Sequence, residues 1–89
     1  METTRSYTIR NMLGLHARAA AAFVKVANRY QSEIEVSKDG VSVNGKSIMG
    51  VLMLAASKGS QIDVLVRGDD AEDALDALGK LIEDKFGEE

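Results

Sequence analysis

His16 is the single imidazole among 89 residues, and the chain has no cysteine. A disulfide framework and a thiolate metal site are therefore excluded. One histidine cannot build a zinc cluster, and no run of Asp and Glu has calcium-loop spacing. No metal and no cofactor are expected. What His16 can do is set by its neighbours in "NMLGLHARAAAAFVK", Asn11 to Lys25. The ring stands where a loop turns into an alanine-rich helix, so the free N–H groups of the first turn lie close to it. Those donors, including the backbone amides of Ala17 and Arg18, and the positive helix end form an anion site that suits a phosphate on the imidazole. Arg18 adds a guanidinium that can fork onto phosphate oxygens. An arginine near a helix start is disfavoured by the dipole, and a dianionic ligand would offset that cost.

The same helix end disfavours an imidazolium. A neutral imidazole keeps a lone pair and can act as a nucleophile near pH 7. Gly14 and the small side chains of Ala17, Ala20 and Ala21 leave the ring accessible. No carboxylate lies near His16 in sequence to activate water, so the arrangement suits a carrier better than a hydrolase. A helix terminus contributes about 0.3–1 kcal/mol, enough to bias a phosphoryl group onto the ring without trapping it.

A second position of interest is Ser47, an expected N-cap for the short segment "IMGVLMLAA". A phosphate there would also sit at a helix start. No side chain from Ile48 to Ala56 is polar. A short surface helix buries one stripe, so some of Ile48, Met49, Leu52 and Met53 should stay exposed as a docking surface. "GVSVNGKS", Gly40 to Ser47, matches the phosphate-loop pattern G-x-x-x-x-G-K-S/T letter for letter. It is refused here. Val41-Ser42-Val43 has strand alternation, and a phosphate loop needs those residues wrapped around the ligand through backbone amides.

The elements that must hold these residues can be read from periodicity. Tyr7 and Ile9 alternate with polar neighbours in a first strand. Ala20, Phe23, Val24 and Ala27 make one helical stripe. Ile34 and Val36 mark a second strand, and Asp39-Gly40 is a two-residue hairpin signal before a third strand at Val41 and Val43. A helix from Ser47 is expected to end at Lys58-Gly59. Ile62, Val64 and Val66 alternate in a fourth strand. Ala74, Leu75, Leu78, Leu81 and Ile82 repeat at helical spacing after Asp69 and Asp70, with Asp69 and Glu72 spaced like a capping box. The final "GEE" is expected to fray. The order is β-α-β-β-α-β-α: an α+β chain with an antiparallel sheet wetted on one face and covered by helices on the other. Its length suits one domain, residues 1–89.

The formal net charge is −3, so no nucleic-acid footprint is expected. No apolar run reaches the ~20 residues of a membrane span. "METTRSYTIR" carries no apolar h-region, and a cytoplasmic protein is the default.

Taken together, "GLHAR" before a helix, "NGKSIMGVLML" and "KGSQI" resemble the histidine-containing phosphocarrier HPr family of the phosphoenolpyruvate-dependent sugar phosphotransferase system. The resemblance covers nearly the whole chain. It implies an open-faced β-sandwich with a four-stranded antiparallel sheet and three helices. It implies that His16 accepts a phosphoryl group on Nδ1 from phospho-Enzyme I and passes it to enzyme IIA components, acting as a carrier and not an enzyme. Arg18 matches the family's active-centre arginine. Ser47 matches the serine used by HPr kinase/phosphorylase. Leu15, Ala17, Ala21, Ile48, Met49 and Leu52 are the expected docking residues, on a monomer. The family pattern Gly-Leu/Ile/Met-His-Ala/Thr-Arg-Pro is broken at one place, where Ala19 replaces the proline. A regulatory paralogue of a nitrogen-type branch is the nearest alternative. An RNA-recognition module shares the β-α-β-β-α-β order but stacks bases on strand aromatics, which Val41-Ser42-Val43 and Ile62-Asp63-Val64 lack.

Overall fold

Alternating polar and apolar side chains build four strands, and a computed structural model describes them within residues 1–88. They are β1 (Glu2–Thr8), β2 (Glu33–Lys38), β3 (Val41–Asn44) and β4 (Gln61–Arg67). They lie in the order β1-β4-β2-β3, every neighbouring pair antiparallel. The register sets Tyr7 opposite Ile62, Val36 opposite Val64 and Ile34 opposite Val66. Ile34, Val36, Ile62, Val64 and Val66 are all buried on one side. The other side carries the charged and polar partners, among them Glu33, Glu35, Asp63 and Arg67.

The covered side receives α1 (Ala17–Ala27), α2 (Ile48–Met53) and α3 (Ala71–Glu83), and a short 3-10 turn at Lys85–Gly87 follows. The α1 stripe predicted from spacing is the one buried: Ala20, Phe23, Val24 and Ala27, with Ala19 beside it. From α3, Ala74, Leu75, Leu78 and Ile82 enter the core, while Leu81 is half-buried at its edge. Phe23, Ile9 and Ile62 head the largest fully buried side chains, so the core is aliphatic around one phenyl ring.

β2 and β3 are joined by Asp39-Gly40, whose φ angles of 51° and 84° are both positive, as a type I′ hairpin turn requires. Val43 pairs with Val36 and Val41 with Lys38, so the residues that mimic a phosphate loop form a ladder. Lys46, the would-be phosphate-loop lysine, donates from Nζ to the Tyr30 carbonyl at 2.7 Å.

Three expectations need correction. The first strand starts earlier, at Glu2, and Ile9 lies just past its end, fully buried, with its N–H bonded to the Ser60 carbonyl at 2.9 Å. The second helix stops at Met53 instead of running to Ala56. Ala55 takes a φ of +50°, and the Ala56 carbonyl turns to accept the Leu15 N–H at 2.8 Å. Finally, the Asp69–Glu72 capping box does not form. Asp70 is the N-cap of α3, and its carboxylate makes no capping bond there. It instead accepts from the Gln31 N–H at 2.8 Å, the Ser32 N–H at 3.0 Å and the Ser32 hydroxyl. Those bonds staple the entrance of β2 to the start of α3.

The staple has a pH signature. The Ser32 hydroxyl and the Gln31 and Ser32 amides hold the Asp70 carboxyl below the usual carboxylate range. A carboxyl whose folded value is depressed contributes stability that is present above its unfolded pKa of about 4 and is lost as pH falls through the folded value. Urea unfolding of Asp70→Asn is therefore expected to show lower stability at pH 7 and a shallower loss of stability below pH ~4 than the parent chain.

Candidate functional site

The site begins at a bend. Gly14 has a φ of +68°, and a Cβ built on it would lie 2.4 Å from the Ala56 carbonyl oxygen. Only glycine accepts both the left-handed conformation and that approach. Asn11, fully buried, donates from Nδ2 to the Gly14 carbonyl at 2.8 Å and closes the loop on itself. The Leu15 N–H is then tied to Ala56, and His16 emerges as the N-cap of α1. Gly14→Ala is expected to destabilise the chain by about 1–3 kcal/mol in urea unfolding, because strain and a backbone clash coincide there.

At the cap, the Arg18 N–H donates to His16 Nδ1 at 3.3 Å. That bond needs a lone pair on Nδ1, so the hydrogen-bond network assigns the ring proton to Nε2. The first full helical bond closes behind it, from the Ala20 N–H to the His16 carbonyl at 2.8 Å. The Ala19 N–H lies in the first turn, where no helical acceptor exists. Nδ1 thus faces the positive end of α1, its lone pair turned to the Arg18 N–H in a long, easily exchanged bond. Arg18 is exposed and lines the same open cleft as His16 and Ala17, together with Met12, Leu13 and Phe86.

The carboxylate that sequence proximity did not offer comes from the far end of the chain. Glu88 Oε2 meets His16 Nε2, and Glu88 Oε1 accepts from Asn11 Nδ2 at 2.9 Å. These bonds, Asn11's first and His16's second, hold the Glu88 carboxyl below the usual range, with the nearby Arg18 charge acting in the same direction. The expectation of a frayed "GEE" is corrected for Gly87 and Glu88, and Glu89 lies outside the described residues. The segment that delivers Glu88 is unusual. Lys85, Phe86 and Gly87 have φ values of 57°, 58° and 79°, three left-handed residues in succession. Each non-glycine residue there costs about 1–2 kcal/mol, and packing of half-buried Phe86 against the core helps to hold the turn.

Ser47 is the N-cap of α2, its Oγ accepting the Gly50 N–H at 3.0 Å. Ile48, Met49 and Met53 are exposed, and Leu52 is half-buried against the core. Ala17 and Ala21 are exposed on α1, which packs beside α2. Leu15 departs from expectation: it is 4% exposed and belongs to the core, because the Leu15–Ala56 bond draws its side chain inward. It offers no docking surface. Exposed Met12 and Leu13 flank the site instead, and their signal was two large apolar residues placed in a loop. Glu88 had no such signal, since it is 72 residues from His16.

Comparison with known proteins agrees with this geometry. Residues 3–84 match the family model described as the PTS HPr component phosphorylation site. The chain is 48% identical to phosphocarrier protein HPr of Cupriavidus necator over 84 residues, 94% of each chain. It is 51% identical to that of Pseudomonas aeruginosa over 82 residues, 91% of each. A crystal structure of HPr from Thermoanaerobacter tengcongensis superposes with a TM-score of 0.94 at 48% identity, covering 98% of both chains. The family model matched over residues 3–84, with relatives and a solved structure at this level of identity and coverage, makes the chain a member of the HPr family of phosphocarrier proteins.

Proposed function

We propose that the chain carries phosphoryl groups in the phosphoenolpyruvate-dependent sugar phosphotransferase system, taking them on His16 from phospho-Enzyme I and passing them to enzyme IIA components. The observation that carries this reading is the Nδ1 lone pair, held by the Arg18 N–H at the N-terminus of α1. In the accepting step the Arg18 N–H releases Nδ1, whose lone pair attacks phosphorus. A P–N bond forms, the bond from phosphorus to the donor breaks, and its electron pair stays with the donor. The phosphoryl oxygens then meet the first-turn amides of Ala17 and Arg18 and the Arg18 guanidinium, which oppose their charge. The return step reverses these events on a partner's nucleophile.

Partners dock on the exposed apolar surface of α1 and α2, with Ala17, Ala21, Ile48 and Met49 at the contact and Leu52 at its edge. The protein works as a cytoplasmic monomer. Where an HPr kinase/phosphorylase exists, Ser47 is its target. A phosphate on Ser47 stays at a helix start, so it alters the docking surface without unfolding α2. RNA binding is disfavoured by the uncovered sheet face, where Glu33, Glu35 and Asp63 stand in place of stacking aromatics.

Incubation with phosphoenolpyruvate and Enzyme I tests the reading. One acid-labile phosphoryl group per chain is expected, and it should pass on to an added enzyme IIA component. A chain that stays unlabelled would contradict the proposal.

A further inference from the structure

The phosphocarrier reading, on which this inference rests, uses the imidazole, the helix end and Arg18, and leaves Glu88 without a role. Three observations give it one. Both carboxylate oxygens are engaged, one by Asn11 Nδ2 at 2.9 Å and the other by His16 Nε2. Asn11 is fully buried and its Nδ2 is also held by the Gly14 carbonyl at 2.8 Å, so the amide cannot turn over to offer its oxygen without losing that bond. The turn that brings Glu88 back consists of three consecutive left-handed residues, Lys85 to Gly87, a conformation that an unattached tail has no reason to adopt.

We propose that Glu88 is a positioning residue for His16: its carboxylate holds the Nε2 proton, keeps the lone pair on Nδ1 at the helix start, and balances the positive charge the ring takes on when Nδ1 bonds phosphorus. Atoms and charges close without further reactants. A neutral imidazole that forms a P–N bond at Nδ1 while keeping its Nε2 proton becomes a phosphoimidazolium. The charge is shared with Nε2–H, where Glu88 already stands. Preorganised charge at the place where charge develops lowers a barrier without reorganisation. In the return step the ring leaves as neutral imidazole, again with its proton on Nε2. The site presents two N–H donors to residue 88, and a carboxylate accepts from both. A glutamine must turn its NH2 toward one of them.

The test compares the parent chain with Glu88→Ala and Glu88→Gln. Nitrogen-15 NMR of His16 in the unphosphorylated protein reads the ring tautomer without any partner. The parent is expected to hold the Nε2–H form, and both variants are expected to gain the Nδ1–H form. Phosphoryl acceptance from phospho-Enzyme I is expected to slow by on the order of tenfold, the low end of what removing the partner that orients a metal-bound imidazole costs. Urea unfolding reports whether the fold is retained. An unchanged tautomer, or an unchanged rate in a labelled Glu88→Ala variant, overturns the role of Glu88. A parent chain that is never labelled overturns the carrier reading itself, which separates the two failures.

Discussion

Phosphoryl acceptance is expected to vanish in His16→Ala while the fold persists. The chain holds no second imidazole to take over, and Ser47 is engaged as a helix cap with its Oγ accepting from Gly50. The loss of structure should be small. His16 caps α1 through one long 3.3 Å bond to the Arg18 N–H, and removing an N-cap acceptor costs about 0.5–2 kcal/mol, with the low end expected here. Radiolabelling from phosphoenolpyruvate through Enzyme I should fall to background. Circular dichroism should stay that of the parent. An arrangement in which His16 only capped a helix would show the reverse: retained label and a comparable shift in stability.

Phe23→Ala is expected to have the largest effect on stability. Phe23 is fully buried, the largest such side chain in the core, and stands in the middle of the α1 stripe. Its removal loses transfer free energy and leaves a cavity, together worth about 3–5 kcal/mol. A chain of this size is held by about 4–13 kcal/mol in total, at roughly 0.05–0.15 kcal/mol per residue. The thermal midpoint should drop by on the order of 20 °C, since each kcal/mol moves a small domain by about 4–8 °C. Differential scanning calorimetry measures the shift directly. A drop of only a few degrees would mean that α1 is held mainly by its ends and not by its apolar stripe.

Much of the fold was legible because its elements are locally consistent. The α1 stripe, the alternation of Ile62, Val64 and Val66, and the Asp39-Gly40 turn each follow from a few neighbouring residues. The phosphate-loop match fails on the same local ground, the strand alternation of Val41-Ser42-Val43, and the β2–β3 ladder explains why it is empty. Where the reading departed, long-range contacts had overridden local preference. Ala56 leaves its apolar helix pattern to meet Leu15, and Leu15 is drawn into the core by the same bond. Asp70 gives up capping for a partner on another loop. Half of the site was readable, since His16, Ala17 and Arg18 are neighbours at a helix start. The other half was not. Asn11 reads as an ordinary loop residue, and Glu88 reaches the ring only because the backbone after α3 reverses through a left-handed turn.

In the proposed carrier cycle His16 Nδ1 is the atom that holds the phosphoryl group. Phosphorylating nitrogen-15-labelled protein with phosphoenolpyruvate and Enzyme I, then recording phosphorus and nitrogen NMR of the product, tests it directly. A single phosphoramidate signal is expected, with phosphorus coupled to Nδ1 of His16 and a proton retained at Nε2. Coupling to Nε2, or an acid-stable phosphate on Ser47 in place of the histidine signal, would contradict it.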